Sequence, residues 1–309
     1  MEPISIKVDH LEKHFEKVQA LGDLSFEVSK GELFGVIGPD GAGKTTLFRI
    51  LTSLLLASSG TATVEGLDVV KDYRKLRQIL GYMPGRFSLY QDLTVEENLQ
   101  FFATIFDTTI TENYALIKDI YSQIEPFKTR RAGQLSGGMK QKLALSCAMI
   151  HKPVVLFLDE PTTGVDAVSR REFWDMLIHL KKSGMTIMVS TPYMDEAELC
   201  DRVALMQDGA IMQLDTPANI KASFNTPVIA VKSDSMYVLM NDLQSYPDID
   251  TLFPFGEFLH YTAKSGAPDI EHMKTYLNNK GHANPVLMQV SPSIEDCFMR
   301  LMKHKEVRP

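Results

Sequence analysis

The sequence predicts an α/β layered fold over about the first 220 of its 309 residues, followed by a small α+β module. Three observations carry that expectation. Short β-rich runs alternate with helical patterns, the rhythm of strands covered by helices. Two of those runs, "PVVLFLDEP" (153–161) and "MTIMVST" (185–191), are apolar without alternation, as strands buried on both faces are. A third run leads directly into a glycine-rich turn and then a helical pattern.

Taken in order, "GELFGVIG" (31–38) reads as the strand entering that turn and "KTTLFRILTSLL" (44–55) as the helix leaving it. The stretch of about a hundred residues from the turn to "VVLFLDE" reads as mainly helical, as in "TVEENLQFFATIF" (94–106). It looks like a helical insertion in the core, a subdomain over about 86–150. "RVALMQDGAIMQLD" (202–215) is a hairpin, because Asp208-Gly209 supplies the positive φ angles of a tight turn. A boundary follows near Thr216-Pro217, giving domains 1–220 and 221–309. The last part runs strand (228–231), helix (236–246), hairpin (251–262), helix (269–279), strand (286–290) and helix (294–303). That β-α-β-β-α-β order suggests a ferredoxin-like accessory domain. It carries no recognisable chemistry, so a docking or dimer-stabilising role is expected of it.

Composition narrows the function classes. With 44% hydrophobic and 23% charged residues, the chain can build an ordinary core. A net charge of −7 argues against a nucleic-acid partner, which would need a basic footprint. No apolar run approaches the roughly 18 residues that span a bilayer, and "MEPISIKVDH" lacks the regions of a signal peptide. Cys147, Cys200 and Cys297 lie far apart without metal-ligand spacing, the pattern of buried reduced thiols in a cytosolic protein. The 16 methionines read as core filler.

The chemistry is carried by "GPDGAGKTT" (38–46), a full G-x-x-x-x-G-K-[ST] phosphate loop. Gly38, Pro39, Asp40, Gly41, Ala42 and Gly43 form the turn, whose inward N–H groups and following helix start cradle an anion. Lys44 reaches the β- and γ-phosphates of ATP, the Thr45 hydroxyl can ligate Mg2+, and Thr46 completes the ATP-binding stretch. Asp40 is expected to face solvent. "VVLFLDE" (154–160) ends in Asp159, a second Mg2+ contact, and Glu160, positioned to polarise an attacking water as general base.

"LSGGMKQKL" (135–143) resembles the signature motif of ATP-binding cassette (ABC) proteins, and the first 220 residues then follow that family's motif order. The resemblance implies a P-loop NTPase fold with antiparallel β and helical subdomains. It implies that Leu135, Ser136, Gly137, Gly138 and Met139 act in trans, on the γ-phosphate held by a second cassette. Met139 stands where the family pattern LSGGQ has glutamine. By the same resemblance Phe15 stacks on adenine, Asp166 in "PTTGVDAVSRR" couples the two sites, and "STPYMDEAE" is the switch-histidine segment.

Two positions depart from the family. Gly85 in "LGYMPGRFSLY" stands where a switch glutamine is usual, and Pro192 where a switch histidine is usual. Glycine has no side chain to place metal or water, and proline has neither donor nor N–H. Such positioning and proton-transfer contributions are each worth roughly 10²- to 10⁴-fold in rate. The chain is therefore expected to bind MgATP and hydrolyse it slowly, while its signature completes the site of a heteromeric partner cassette. Membrane-spanning permease subunits, coupled through residues 85–105, are the other expected partners, with the chain peripheral on the cytoplasmic face and exporting its cargo. The alternatives are a soluble ABC ATPase of translation or repair type, or a nucleotide-sensing module without transport.

Overall fold

The computed structural model describes residues 3–85 and 89–306 and divides into two units, residues 1–216 and 217–309, slightly ahead of the expected 220/221 boundary. The first unit runs β1 (Ile4–Phe15), β2 (Val18–Ser29), β3 (Leu33–Ile37), α1 (Lys44–Leu51), β4 (Ser59–Val64), β5 (Leu67–Asp68), α2 (Tyr73–Ile79) and β6 (Leu80–Met83). It continues through α3 (Val95–Ile105), α4 (Ile110–Tyr121), α5 (Gly137–Met149), β7 (Val155–Asp159), α6 (Ala167–Lys182), β8 (Thr186–Thr191), β9 (Arg202–Gln207) and β10 (Ala210–Asp215).

The central sheet has the order β10-β9-β3-β8-β7-β6. All but β10 run parallel to their neighbours. Every residue of β3, β7 and β8 is buried, which is why these strands are apolar without alternation. α1 packs its Phe48 edge-on against Phe157 of β7, ring centroids 5.9 Å apart. Because β3, β8 and β7 are parallel neighbours, their carboxyl ends open on one edge of the sheet, where ligands of such folds bind. The hairpin β9–β10 turns at Asp208 (φ 49) and Gly209 (φ 73), as its sequence requires.

A second sheet, β2-β1-β4-β5, is antiparallel. The expectation of a mainly helical stretch after the glycine-rich turn is corrected here. β4, β5 and β6 lie in it, and α2 has only seven residues. In "SGTATV" Ala62 and Val64 point inward and alternate with more exposed residues, a strand pattern inside the stretch read as mainly helical. "LGYM" is held as a strand by pairing with β7 rather than by its own propensity. The helix expected over 44–55 ends at Leu51, with Ser53 left-handed at φ 59. From residue 95 the chain is helical as expected. Thr94 with Glu97 and Thr109 with Glu112 form capping boxes at the starts of α3 and α4, and both helices pack on α5. Arg86, Phe87 and Ser88, at the start of this insertion, lie outside the described residues.

The second unit runs α7 (Pro217–Ala222), β11 (Val228–Lys232), α8 (Met236–Gln244), β12 (Ile249–Phe255), β13 (Phe258–Ala263), α9 (Ile270–Asn279), β14 (Val286–Val290) and α10 (Ile294–Glu306). Its antiparallel sheet has the order β12-β13-β11-β14. Ile229, Val231 and Tyr261 on the strands meet Leu239, Leu243 and Leu277 on α8 and α9 in one core. Between Leu259 and Tyr261 on β13, His260 bonds Asp296 of α10 through Nδ1 at 2.8 Å.

Candidate nucleotide site

The glycine-rich turn leaves the end of β3 and packs against β9 and β2 so closely at Gly38 and Gly43 that neither position has room for a side chain. A Cβ on Gly38 would lie 2.1 Å from the Met206 carbonyl oxygen. One on Gly43, which sits at φ +102, would lie 2.6 Å from that of Ala20. Gly43 caps α1 without a side-chain hydrogen bond, so the first N–H groups of the helix face the turn uncapped. Asp40 is exposed, as expected. The turn, with Lys44, Thr45 and Thr46, lines a cleft of about 1460 Å3 at the carboxyl edge of the central sheet. No described residue of 135–139 lines it.

Lys44 is 3% exposed and donates to the carbonyl oxygens of Gly38 (2.8 Å) and Pro39 (3.0 Å). Its third contact is an ion pair with Glu160 Oε1 at 3.0 Å. Asp159, also 3% exposed, accepts from the Ser190 hydroxyl at 2.6 Å and from the Thr45 hydroxyl. Burial holds its carboxyl above the usual aspartate range, against the pull of those two hydroxyls. Glu160 follows in the left-handed region at φ 50, its N–H bonded to the Ser190 carbonyl and hydroxyl oxygens, each at 3.0 Å.

These groups suit a magnesium nucleotide. The Thr45 hydroxyl and Asp159 carboxylate are adjacent hard oxygen donors, and Glu160 is committed to Lys44. Among the described residues no cluster of three or more His, Cys, Asp or Glu could hold a metal by itself. Mg2+ fits such a site, because it takes most of its ligands from phosphates and water.

Gly85 and Pro192 both line the cleft. Gly85 is pressed against the acidic pair: a Cβ there would lie 2.9 Å from the Asp159 carbonyl oxygen and 3.8 Å from the Glu160 Cβ. Past Pro192, the Tyr193 N–H bonds the Thr191 hydroxyl at 3.1 Å. Buried Glu196 accepts from the hydroxyls of Thr162 (2.8 Å) and Thr191. The Arg170 guanidinium lies 4.8 Å from the Tyr193 ring centre and 3.5 Å from Asp195. The loop is thus anchored without any group from residue 192.

The remaining sequence-predicted residues lie elsewhere. Phe15 ends β1, 45% exposed, with Lys13 Nζ 4.9 Å from its ring centre, so core packing does not occupy it. Ser136 and Gly137 are exposed at the start of α5, where the Ser136 hydroxyl caps Met139 N–H at 3.3 Å. Leu135 is buried beneath them and Met139 is half-buried. Gly138 faces α6 so closely that a Cβ would fall 2.4 Å from the Ser169 hydroxyl. Asp166 caps α6 by accepting from Ser169 N–H at 3.0 Å, which with the Ser169 hydroxyl holds its carboxyl below the usual range. Three buried polar residues escaped sequence reasoning, Ser190 and Glu196 beside the site and Asn98 in the helical insertion. Ser190 and Glu196 join elements distant in sequence. Asn98 is fully buried and ties α3 to the Tyr90 N–H and carbonyl. Ser190 and Asn98 interrupt apolar patterns, whereas Glu196 lies in the acidic run "MDEAELCD" and carries no such signal.

Comparison with known proteins agrees with this geometry. The ABC transporter family model matches residues 21–163. The probable multidrug ABC transporter ATP-binding protein YbhF of Escherichia coli K12 is 41% identical over 220 residues, 70% of this chain. The match spans only 38% of that relative's length. The Nod factor export ATP-binding protein I of Rhizobium sp. strain N33 is 34% identical over 306 residues, 97% of this chain and 98% of the relative. Among solved structures, cbiO1 of Clostridium perfringens, part of the transporter complex cbiONQ, is 27% identical with a TM-score of 0.64, covering 72% of this chain and 92% of that one. The ATP-binding cassette MJ0796, solved as a dimer with ADP and Pi, shares the fold at a TM-score of 0.62 and 22% identity, over 68% of this chain and 98% of that one. The phosphate loop, the acidic pair and these likenesses place the chain among the ABC transporter ATP-binding proteins, P-loop ATPase cassettes.

Proposed function

We propose that this chain is the ATP-binding subunit of an exporter-type ABC transporter, and that its own site binds MgATP but turns it over slowly. The observation that carries this is the cleft wall. Every group for holding a triphosphate is present in it, while the two positions that would manage the attacking water are Gly85 and Pro192. Thr45 and Asp159 would hold Mg2+, which when bound neutralises the phosphate oxygens. Lys44 shifts from Glu160 to the phosphates, because both compete for one ammonium, and the released Glu160 carboxylate accepts a proton from water. Without a glutamine or histidine to hold that water in line, the proton transfer is poorly positioned.

The exposed Ser136 and Gly137, which do not line the cleft, support action in trans on a partner cassette with intact switch residues. No helix among the described residues is long and apolar enough to cross a membrane. The relatives' names as ATP-binding proteins of transporters favour separate permease subunits, with this chain bound at their cytoplasmic face. The export relatives that match across the whole chain favour an exporter. The test is to measure MgATP binding and hydrolysis on the purified chain, with Glu160→Gln as the inactive reference. Binding with turnover low but above Glu160→Gln supports the reading. Turnover equal to Glu160→Gln makes the chain a nucleotide sensor, and brisk wild-type turnover refutes the proposal.

A further inference from the structure

Ser190 is a fully buried hydroxyl on β8, at 0% exposure, and one side chain there touches both acidic residues of the site. Its register partner across the β7–β8 ladder is Asp159. The hydroxyl donates its single proton to Asp159 Oδ1 at 2.6 Å, the length of a charge-assisted bond. Its lone pairs then accept the Glu160 N–H at 3.0 Å, beside the Ser190 carbonyl oxygen that accepts the same N–H. Glu160 stands at φ 50, a region that a non-glycine residue keeps only where its surroundings hold it. The strand ladders on either side of β8 are built from backbone groups and do not need this hydroxyl.

We infer that Ser190 is a positioning residue: it aims the Asp159 carboxylate at the bound magnesium ion and fixes the backbone from which Glu160 reaches the water. With proline at 192, the Ser190 hydroxyl is a side-chain contact by which β8 reaches both members of the acidic pair, beside its backbone contacts to them. The inference rests on the reading of Asp159 and Glu160 given above, and predicts a defect in metal use rather than in phosphate binding. Loss of an outer partner of a metal-ligating carboxylate typically costs 10- to 100-fold in metal affinity.

The experiment titrates Mg2+ into the full chain at fixed ATP and follows binding by calorimetry, with ATP binding in EDTA as the metal-free reference. Ser190→Ala should raise the Mg2+ requirement roughly 10- to 100-fold and leave metal-free ATP binding within about twofold. Ser190→Thr, which keeps the hydroxyl, should restore the requirement. In an Asp159→Asn background Ser190→Ala should add no further loss, because its partner has gone. If Ser190→Ala fails to fold, Ser190→Cys keeps the volume, weakens the donor and serves the same readout. An unchanged Mg2+ requirement, or a loss that adds in full to that of Asp159→Asn, overturns the inference and leaves the nucleotide site standing. A wild-type chain that binds no MgATP overturns both.

Discussion

Lys44→Ala should do more than abolish nucleotide binding; it should loosen the fold that carries the site. Lys44 is 3% exposed and donates to two carbonyl oxygens and to Glu160 Oε1, all within 3.0 Å. Removing one partner of a buried ion pair costs roughly 3–5 kcal/mol, because the other charge is left uncompensated. Glu160 keeps 21% of its side chain exposed, so water recovers part of that loss. The expected cost is then about 2–3 kcal/mol. For a unit of this size each kcal/mol lowers the melting temperature by about 2–4 °C, giving a fall of about 4–12 °C. Glu160→Gln keeps an oxygen for the ammonium and should cost about 1 kcal/mol or less. The assay is differential scanning calorimetry of the full chain in EDTA, followed by the same melts with ATP. Nucleotide at a hundred times its dissociation constant should stabilise the wild type by about 2.7 kcal/mol and Lys44→Ala not at all. A Lys44→Ala chain melting within 2 °C of wild type in EDTA would show that the pair carries no such energy.

Two further outcomes concern buried titrating groups. Burial pulls the Asp296 carboxyl upward, but bonds from His260 and from the Ser293 hydroxyl and N–H outweigh it and hold the carboxyl below its ordinary value. Its contribution to the second unit is therefore complete above the unfolded-chain value of about 3.9 and is lost as pH falls from there through the depressed folded value. Asp296→Asn should flatten that acid limb in pH-dependent melts, and an unchanged limb would count against the pair. Burial also raises the thiols of Cys147 and Cys200, and pushes Cys297 up to about 11. At pH 8 a disulfide reagent should find no fast thiol in the native chain and three in guanidinium; one fast native thiol contradicts the packing.

What could be read from the sequence follows the range of each interaction. The phosphate loop is local: its glycines, Lys44 and Thr45 are adjacent, so one short stretch specifies the cradle. β7 and β8 could be read because burial on both faces removes alternation. β6 could not, since its four residues are a strand only because β7 pairs with them. β4 was obscured by its serine and threonines, which resemble loop composition. At the site, Asp159 and Glu160 were visible, but the Lys44–Glu160 pair and the Ser190 bridge join elements 116 and 31 residues apart. The chain brings them together only when β3, β8 and β7 line up in one sheet. Gly85 shows the same limit. A missing side chain could be seen in the sequence, but its pressing against the Asp159 carbonyl could not.

The most direct test of the account is single-turnover hydrolysis with wild type and the Gly85→Gln, Pro192→His double variant at equal, measured occupancy by MgATP. A side chain at 85 must move the loop off the Asp159 carbonyl, only 2.9 Å from the added Cβ, so the variant restores both the chemistry and a looser wall. The account predicts near-equal binding and a rate raised at least tenfold, the low end of what one positioned proton-transfer group supplies being roughly 10²-fold. A wild-type chain that already hydrolyses briskly, or a variant that binds equally and turns over no faster, would contradict it.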